Sequence, residues 1–308
     1  MTDSPEIRPG EKYALITMRT YAPDPTRQAA TRIASGVWAW DRFPITLDGN
    51  WKEWIGSVRE RTLRDANLVL VAKMPSTTPE VQDHENEYLK REVYLLFQAI
   101  LLTASVPIYD TPAMVTGSHR NGRPEMRQLT DVPPPLSLPG SPRDQLTAEA
   151  LLTAVALRKG IADLEAIGGF KRLGRVYSIH QRALQNPDPI ERIHQFCRSI
   201  EGFILPAIAK TTRQFKSRTE LFVGPGHHDL MGRLYEMRSL VEHLHQLQFD
   251  DWPADERERR LIVLREAIFL EQLSRYCISR LLTNRTLWPH FANDEDLNSF
   301  WHADAGDR

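Results

Sequence analysis

The sequence predicts an α+β N-terminal part followed by an all-α helical bundle, and three observations carry this expectation. Up to about residue 130, short β-forming runs alternate with amphipathic stretches. The segment VPPPLSLPGSPR at 132–143 then places five prolines and two serines in twelve residues. Proline neither continues a helix nor donates to a strand ladder, so this segment marks a linker. Beyond it, the apolar residues fall at helical spacings almost to the end. The expected organisation is therefore residues 1–131, a linker at 132–143 and a helical domain at 144–308. A chain of 308 residues is long enough for two such cores.

In the first part, KYALITMRTY (12–21) and NLVLVAKM (67–74) read as strands. Between them, GNWKEWIGSVRERTLRDA sets Trp51, Trp54, Ile55, Val58 and Leu63 near a 3.6-residue period, which predicts one amphipathic helix with both tryptophans in the core. Trp38 and Trp40 have no assignment from spacing. A further helix is expected from Glu85 to Thr103. TPAMVTGSHRNGRPEMRQLT reads as a hairpin turning at Asn121-Gly122.

In the second part, Thr147 precedes a long helical run in which Gly160 is a point of interruption, and AIGGF (166–170) supplies a helix stop. FKRLGRVYSIHQRAL and PIERIHQFCRSIEGFIL follow, the second started by Pro187 and Pro189. A helix is expected around 206–221, ended by GPGHHD. LMGRLYEMRSLVEHLHQL is expected to begin after Asp229 as N-cap, with Leu230, Leu234, Met237, Val241, Leu244 and Leu247 or Gln248 as its apolar stripe. ADERERRLIVLREAIFLEQLSRYCISRLL is the longest helical pattern, with acidic residues at its start.

Composition narrows the function classes. Hydrophobic residues at 41% and charged residues at 26% describe a globular chain, and no apolar run reaches the roughly 18 residues of a membrane span. The N-terminal residues lack an apolar signal region, and Cys197 and Cys277 are isolated. A cytoplasmic protein with reduced thiols is the expectation. The formal charge of −1 hides an uneven distribution: from Lys171 to Arg218 there are ten basic residues against Asp188, Glu191 and Glu201, while the C-terminus is acidic. Such a local basic region suits a phosphodiester chain.

No phosphate-binding glycine loop, G-x-S-x-G or HExxH occurs, so no cofactor and no metal are expected. His227, His228, His243 and His245 lie close in sequence with Asp229 and Glu242. His243 and His245, two apart on a helix, cannot easily share one ion.

The residues that carry chemistry are in LYEMRSLVEHLH (234–245). On a continuous helix Arg238 and His243 lie roughly 140° apart around the axis and about 7.5 Å along it, so they straddle a groove. A histidine with an ordinary pKa of about 6.5 takes the proton of a ribose 2′-hydroxyl near neutral pH. A guanidinium holds the phosphate oxygens as charge builds at phosphorus, and Ser239 orients either group. Attack of the 2′-oxygen leaves a 2′,3′-cyclic phosphate, so this is RNA cleavage without a metal. The plainer reading is an Arg238–Glu242 surface pair on a structural helix.

The pattern Tyr235, Arg238, Ser239, His243 resembles the HEPN superfamily, and particularly its ApeA-like branch, whose hallmark is R-x(4–6)-H in a helical bundle. FCRSIEGFIL resembles the earlier helix of those families, with Glu201 as its acidic residue. The resemblance covers about residues 145–300. It departs from the family at Ser239, where Asn, Asp or His is common, and at Leu244, where Gly is common.

The resemblance implies a metal-independent endoribonuclease with Arg238, His243 and Ser239 catalytic. Tyr235, Arg198 and His245 are then expected on the substrate. It further implies a homodimer whose two motif helices share a cleft, a regulatory partner or trigger, and service in phage defence or as a toxin. The alternative is a non-catalytic helical module for dimerisation or partner binding.

Overall fold

The computed structural model describes residues 4–20, 30–47, 49–77, 83–120, 122–168, 171–206, 211–243 and 252–306. The elements follow in order. They are β1 (Glu11–Met18), β2 (Ala30–Ala34), β3 (Val37–Trp40), α1 (Gly49–Ile55), α2 (Ser57–Arg64), β4 (Leu68–Pro75), α3 (His84–Thr103), β5 (Ala113–Arg120) and β6 (Arg123–Asp131). Then come α4 (Ala148–Ile167), α5 (Lys171–Leu184), α6 (Pro189–Ile204), α7 (Thr211–Val223), α8 (His228–Glu242) and α9 (Glu256–Thr283). A short 3-10 helix (Arg285–Phe291) leads to α10 (Asp294–Gly306). An antiparallel sheet with helices thus precedes a helical C-terminal half.

The chain divides into two compact units, one of residues 1–135 with 142–159, the other of 136–141 with 160–308. The proline-rich segment is shared between them, and so is α4.

In the first unit the sheet order is β2-β3-β4-β1-β5-β6, antiparallel throughout. The central strand EKYALITM is buried at every residue after Glu11, so both of its faces are covered. Tyr13 and Leu15 point to one side with Trp38, Val69, Val71 and Val115, and Leu63 of α2 packs there with half-buried Trp51 and Ile55. Helix α3 touches β1, β4 and β5 and takes no part in that cluster, so it covers the other face. Lys12, wholly buried on β1, is neutralised by Asp83 and Glu85, each at 2.8 Å.

Two sequence expectations are corrected here, and two strands are added. The helix expected across 49–66 is two helices, because Gly56 holds φ at +80° and breaks the run between Ile55 and Ser57. That break turns Trp54 outward, 57% exposed, instead of into the core, while its edge meets the Trp51 ring at 5.4 Å. The strands β2 and β3 are additional, and they bury Trp38 and Trp40. Gly122 and Gly168 hold positive φ (78° and 64°) at the two turns the sequence assigns them; Asn121 lies outside the described residues.

The second unit is helical. Thr147 caps α4, accepting from the Ala150 N–H at 3.1 Å, and the helix runs through Gly160 without a break. Asp188 caps α6 by accepting from the Ile190 N–H at 2.9 Å, and Asp255 caps α9 through the Glu258 N–H at 3.0 Å. Helix α6 packs on α5, α8 and α9. Its first turn carries the fully buried Arg192, whose guanidinium donates to the carbonyls of Ala183 (2.9 Å), Leu184 (2.8 Å) and Leu136 (2.7 Å). These bonds tie the 136–141 part of the proline-rich segment to the α5–α6 turn. Cys197 and Cys277 are free and buried, and burial pushes both thiols up, away from thiolate chemistry. Among the described residues no helix is long and apolar enough to cross a membrane.

Candidate functional site

The site is built where α5, α6 and α8 meet. Helices α5 and α6 approach closely because residue 202 is glycine: a Cβ there would stand 2.1 Å from Val176 Cγ2. That contact sets Arg175, beside Val176, near Arg198, one turn before Gly202. Helix α8 packs on both α6 and α7 and buries Met231, Leu234, Tyr235 and Met237. The buried stripe is therefore rotated from the expected one, and Leu230 and Val241 are only half-buried. The helix also starts two residues early, with His227 at the N-cap position and Asp229 in the first turn. His228 pairs with Glu220 at 2.8 Å.

Arg238 lies at the centre of a charged network. It donates to Glu201 Oε2 at 3.2 Å, forms an i,i+4 ion pair with Glu242, and sits 5.7 Å from the Tyr235 ring centroid. The sequence-expected Arg238–Glu242 pair is present, and Glu201 is a second carboxylate on the same guanidinium. The Tyr235 hydroxyl interacts with Glu201 and Thr211, and its ring packs on Phe215 at 5.1 Å. Burial raises the Glu201 carboxyl above the ordinary carboxylate value, and Arg238 draws it back only in part. Burial likewise raises the Tyr235 hydroxyl. His194 Nε2 is 3.5 Å from Glu242.

These groups open into a pocket of about 740 Å³, lined by Lys171, Arg172, Arg175, Arg198 and Arg238 against only Glu201 and Asp294. Arg172 is held by Asp294 through two contacts of 2.6 and 2.5 Å, which keeps that carboxyl below its usual range. Lys171, Arg175 and Arg198 are exposed and make no ion pair among the described residues. The pocket thus carries three cations outside any ion pair among the described residues, of which Arg175 also acts at longer range on the Asp294 carboxyl. Apolar walls come from Val176, Ile179 and Leu205.

Of the residues singled out in the sequence, Tyr235, Arg238, Arg198 and Glu201 share this pocket. His243 and Ser239 are not among its lining. His243 follows the last residue of α8 as its C-cap, φ −92° and ψ 9°, exposed, with its N–H on the Ser239 carbonyl at 3.1 Å. The described helix therefore ends before His243, and the 140° placement of an unbroken helix does not apply there. Ser239 is half-buried, and His245 lies outside the described residues. Sequence reasoning did not single out Lys171, Arg175 or Thr211; the signal for the first two was the basic excess from 171 to 218. No family model, curated protein or solved structure matches the chain.

Proposed function

We propose that the helical unit is a metal-independent endoribonuclease of HEPN type. Arg238 holds the scissile phosphate, and the neighbouring cations hold the chain through its other phosphate charge. His243, exposed at the end of α8, takes the proton of the 2′-hydroxyl. The 2′-oxygen attacks phosphorus, the bond to the 5′-oxygen breaks, and that oxygen leaves with a proton. The products are a 2′,3′-cyclic phosphate and a 5′-hydroxyl. Ser239 supports the imidazole, and Tyr235 and Arg198 contact the RNA, with His245 assigned to the same role. Two copies joined through this unit bring two motifs to one cleft, and the N-terminal unit answers a trigger or regulatory partner, as in phage defence or a toxin system in the cytoplasm.

The observation that carries this reading is the convergence of Tyr235, Arg238, Arg198 and Glu201, singled out by sequence, on one cation-rich pocket. A basic pocket with an aromatic wall is what a phosphodiester and its base require. The test is incubation of the purified chain with mixed RNA in EDTA, wild type beside His243→Ala, with fragment ends analysed. Cleavage that resists chelator, leaves cyclic phosphate and drops about 10²–10⁴-fold in the variant supports the proposal.

One observation favours a second reading, a non-catalytic module for dimerisation or partner binding: Arg238 is already neutralised by Glu201 and Glu242. That reading predicts no cleavage at all and a silent His243→Ala.

A further inference from the structure

We propose that Lys171, Arg175 and Arg198, in the pocket at α5, α6 and α8, take a terminal phosphomonoester of RNA, beside the internal phosphodiester assigned to Arg238. Three facts combine. First, the cationic surplus exceeds what one diester needs. Lys171, Arg175 and Arg198 are exposed and in no ion pair among the described residues, with Asp294, held by Arg172, as the carboxylate on which Arg175 acts. Arg238 is matched by Glu201 and Glu242 and adds nothing to the surplus. An internal diester brings one negative charge and two free oxygens. A terminal phosphate near pH 7 brings about −1.5 to −2 and three acceptor oxygens.

Second, the surplus is concentrated rather than strung out. Lys171 and Arg175 are i,i+4 on one face of α5, with Cβ atoms about 5–6 Å apart. Arg198 is brought to them by the Gly202–Val176 contact. A chain bound along its length would be served better by cations repeated along a groove. Third, the volume of about 740 Å³ falls in the range of roughly 300–1,000 Å³ typical of pockets that enclose a small molecule. The apolar wall of Val176, Ile179 and Leu205 and the Tyr235 ring give the terminal nucleoside a surface next to the phosphate.

The ligand being RNA rests on the ribonuclease reading above; the preference for a terminal phosphate rests on the charges alone. In that reading the phosphate end fixes the chain, and cutting occurs at a set distance from it.

The test measures binding of three labelled single-stranded RNAs of one sequence by fluorescence anisotropy in EDTA. One carries a 5′-phosphate, one a 3′-phosphate and one hydroxyls at both ends. The full chain is used with His243→Ala in place, so that nothing is cut. The expected result is that one phosphate-ended RNA binds at least about tenfold more tightly than the hydroxyl-ended one, from one or two added charge-assisted hydrogen bonds. Arg175→Ala with Arg198→Ala should reduce that preference below about twofold. Both side chains are exposed and in no ion pair among the described residues, so helicity by circular dichroism should not change, whereas Arg59→Ala in the first unit should leave the preference intact. Equal affinity for all three RNAs, or no binding, overturns the proposal.

Cleavage separates this from the ribonuclease reading. If wild type cuts a circular RNA as fast as a phosphate-ended linear one, the ribonuclease stands and the end preference falls. If phosphate-ended RNA is held selectively and never cut, the preference stands and the ribonuclease falls.

Discussion

Removing Arg238 should destabilise the helical unit in a way that depends on pH through Glu201. The two side chains are each 16% exposed and 3.2 Å apart, so Arg238→Ala leaves a carboxylate largely out of water. Only the Tyr235 hydroxyl then remains to it, with Glu242 repelling it. A hydrogen bond to a charged group contributes about 1.5–3 kcal/mol, and breaking a fully buried pair costs about 3–5 kcal/mol. Partial exposure places this case at the lower end, about 2–3 kcal/mol at pH 7.

The sign follows from the raised carboxyl. The folded protein binds that proton more readily than the unfolded one, so stability from Glu201 is lost as pH rises from the ordinary carboxylate value through the raised one. Arg238 opposes the rise, and its removal widens the window upward. The cost of Arg238→Ala should therefore fall to about 1 kcal/mol when pH is lowered to the ordinary carboxylate value of about 4.3, below the raised one. Glu201→Gln keeps a partner for Tyr235 and removes the charge, so by itself it should cost less than about 1 kcal/mol. The double variant should recover about 1–2 kcal/mol relative to the sum. Hydrogen exchange of α6 and α8 peptides across a urea series separates this unit from the other, which a whole-chain transition would not. An Arg238→Ala variant within about 0.5 kcal/mol of wild type at pH 7, or equally destabilised at both pH values, would refute the reasoning.

Three further predictions concern the scaffold of the pocket. Gly202→Ala drives a Cβ to 2.1 Å from Val176 Cγ2, on a stiff β-branched side chain. It should cost about 1–3 kcal/mol despite a helix-propensity gain of up to ~1 kcal/mol, and weaken RNA binding, both measurable by urea-dependent exchange and anisotropy. Arg192→Met leaves the Ala183, Leu184 and Leu136 carbonyls without their guanidinium donor and removes one of two cations from Glu271, which keeps Arg275 at 2.6 Å. It should cost about 3 kcal/mol or more by the same exchange measurement. His180, fully buried with Nδ1 2.9 Å from Ser274 Oγ, is pushed down to about 3 by burial, then by Arg275 and Arg192. Its neutral form contributes stability fully above the ordinary pKa of about 6.5 and loses it as pH falls toward 3, at up to about 1.4 kcal/mol per pH unit. His180→Leu should flatten the acid limb of a stability–pH profile.

What the sequence made legible is tied to periodicity and punctuation. β1 and β4 were readable because EKYALITM and LVLVAKMP are continuous apolar runs in a sheet covered on both faces. The hairpin β5–β6 and helices α3 to α6 were readable from Asn-Gly, proline and capping residues. β2 and β3 were missed because ATRIA and VWAW are too short to show a period, and Gly36 between them gives little signal by itself. The one-helix reading of 49–66 failed because apolar spacing cannot see that Gly56 takes positive φ. In the site, the motif gave Arg238 and Tyr235, and the basic run gave the sign of the pocket. That Glu201 and Glu242 both hold Arg238 depends on the α6–α8 packing, which no local pattern encodes. The end of α8 at Glu242 was hidden too, since Leu244 and Leu247 continue the helical spacing past it.

The central claim, that the α5–α6–α8 pocket receives RNA phosphate, is tested most directly by the salt dependence of RNA affinity in wild type and Arg198→Ala. For a single strand, each phosphate neutralised contributes about 0.7 to the slope of log affinity against log salt. Arg198→Ala should show a slope shallower by about 0.7, with weaker binding at every salt concentration. An unchanged slope and affinity would contradict it.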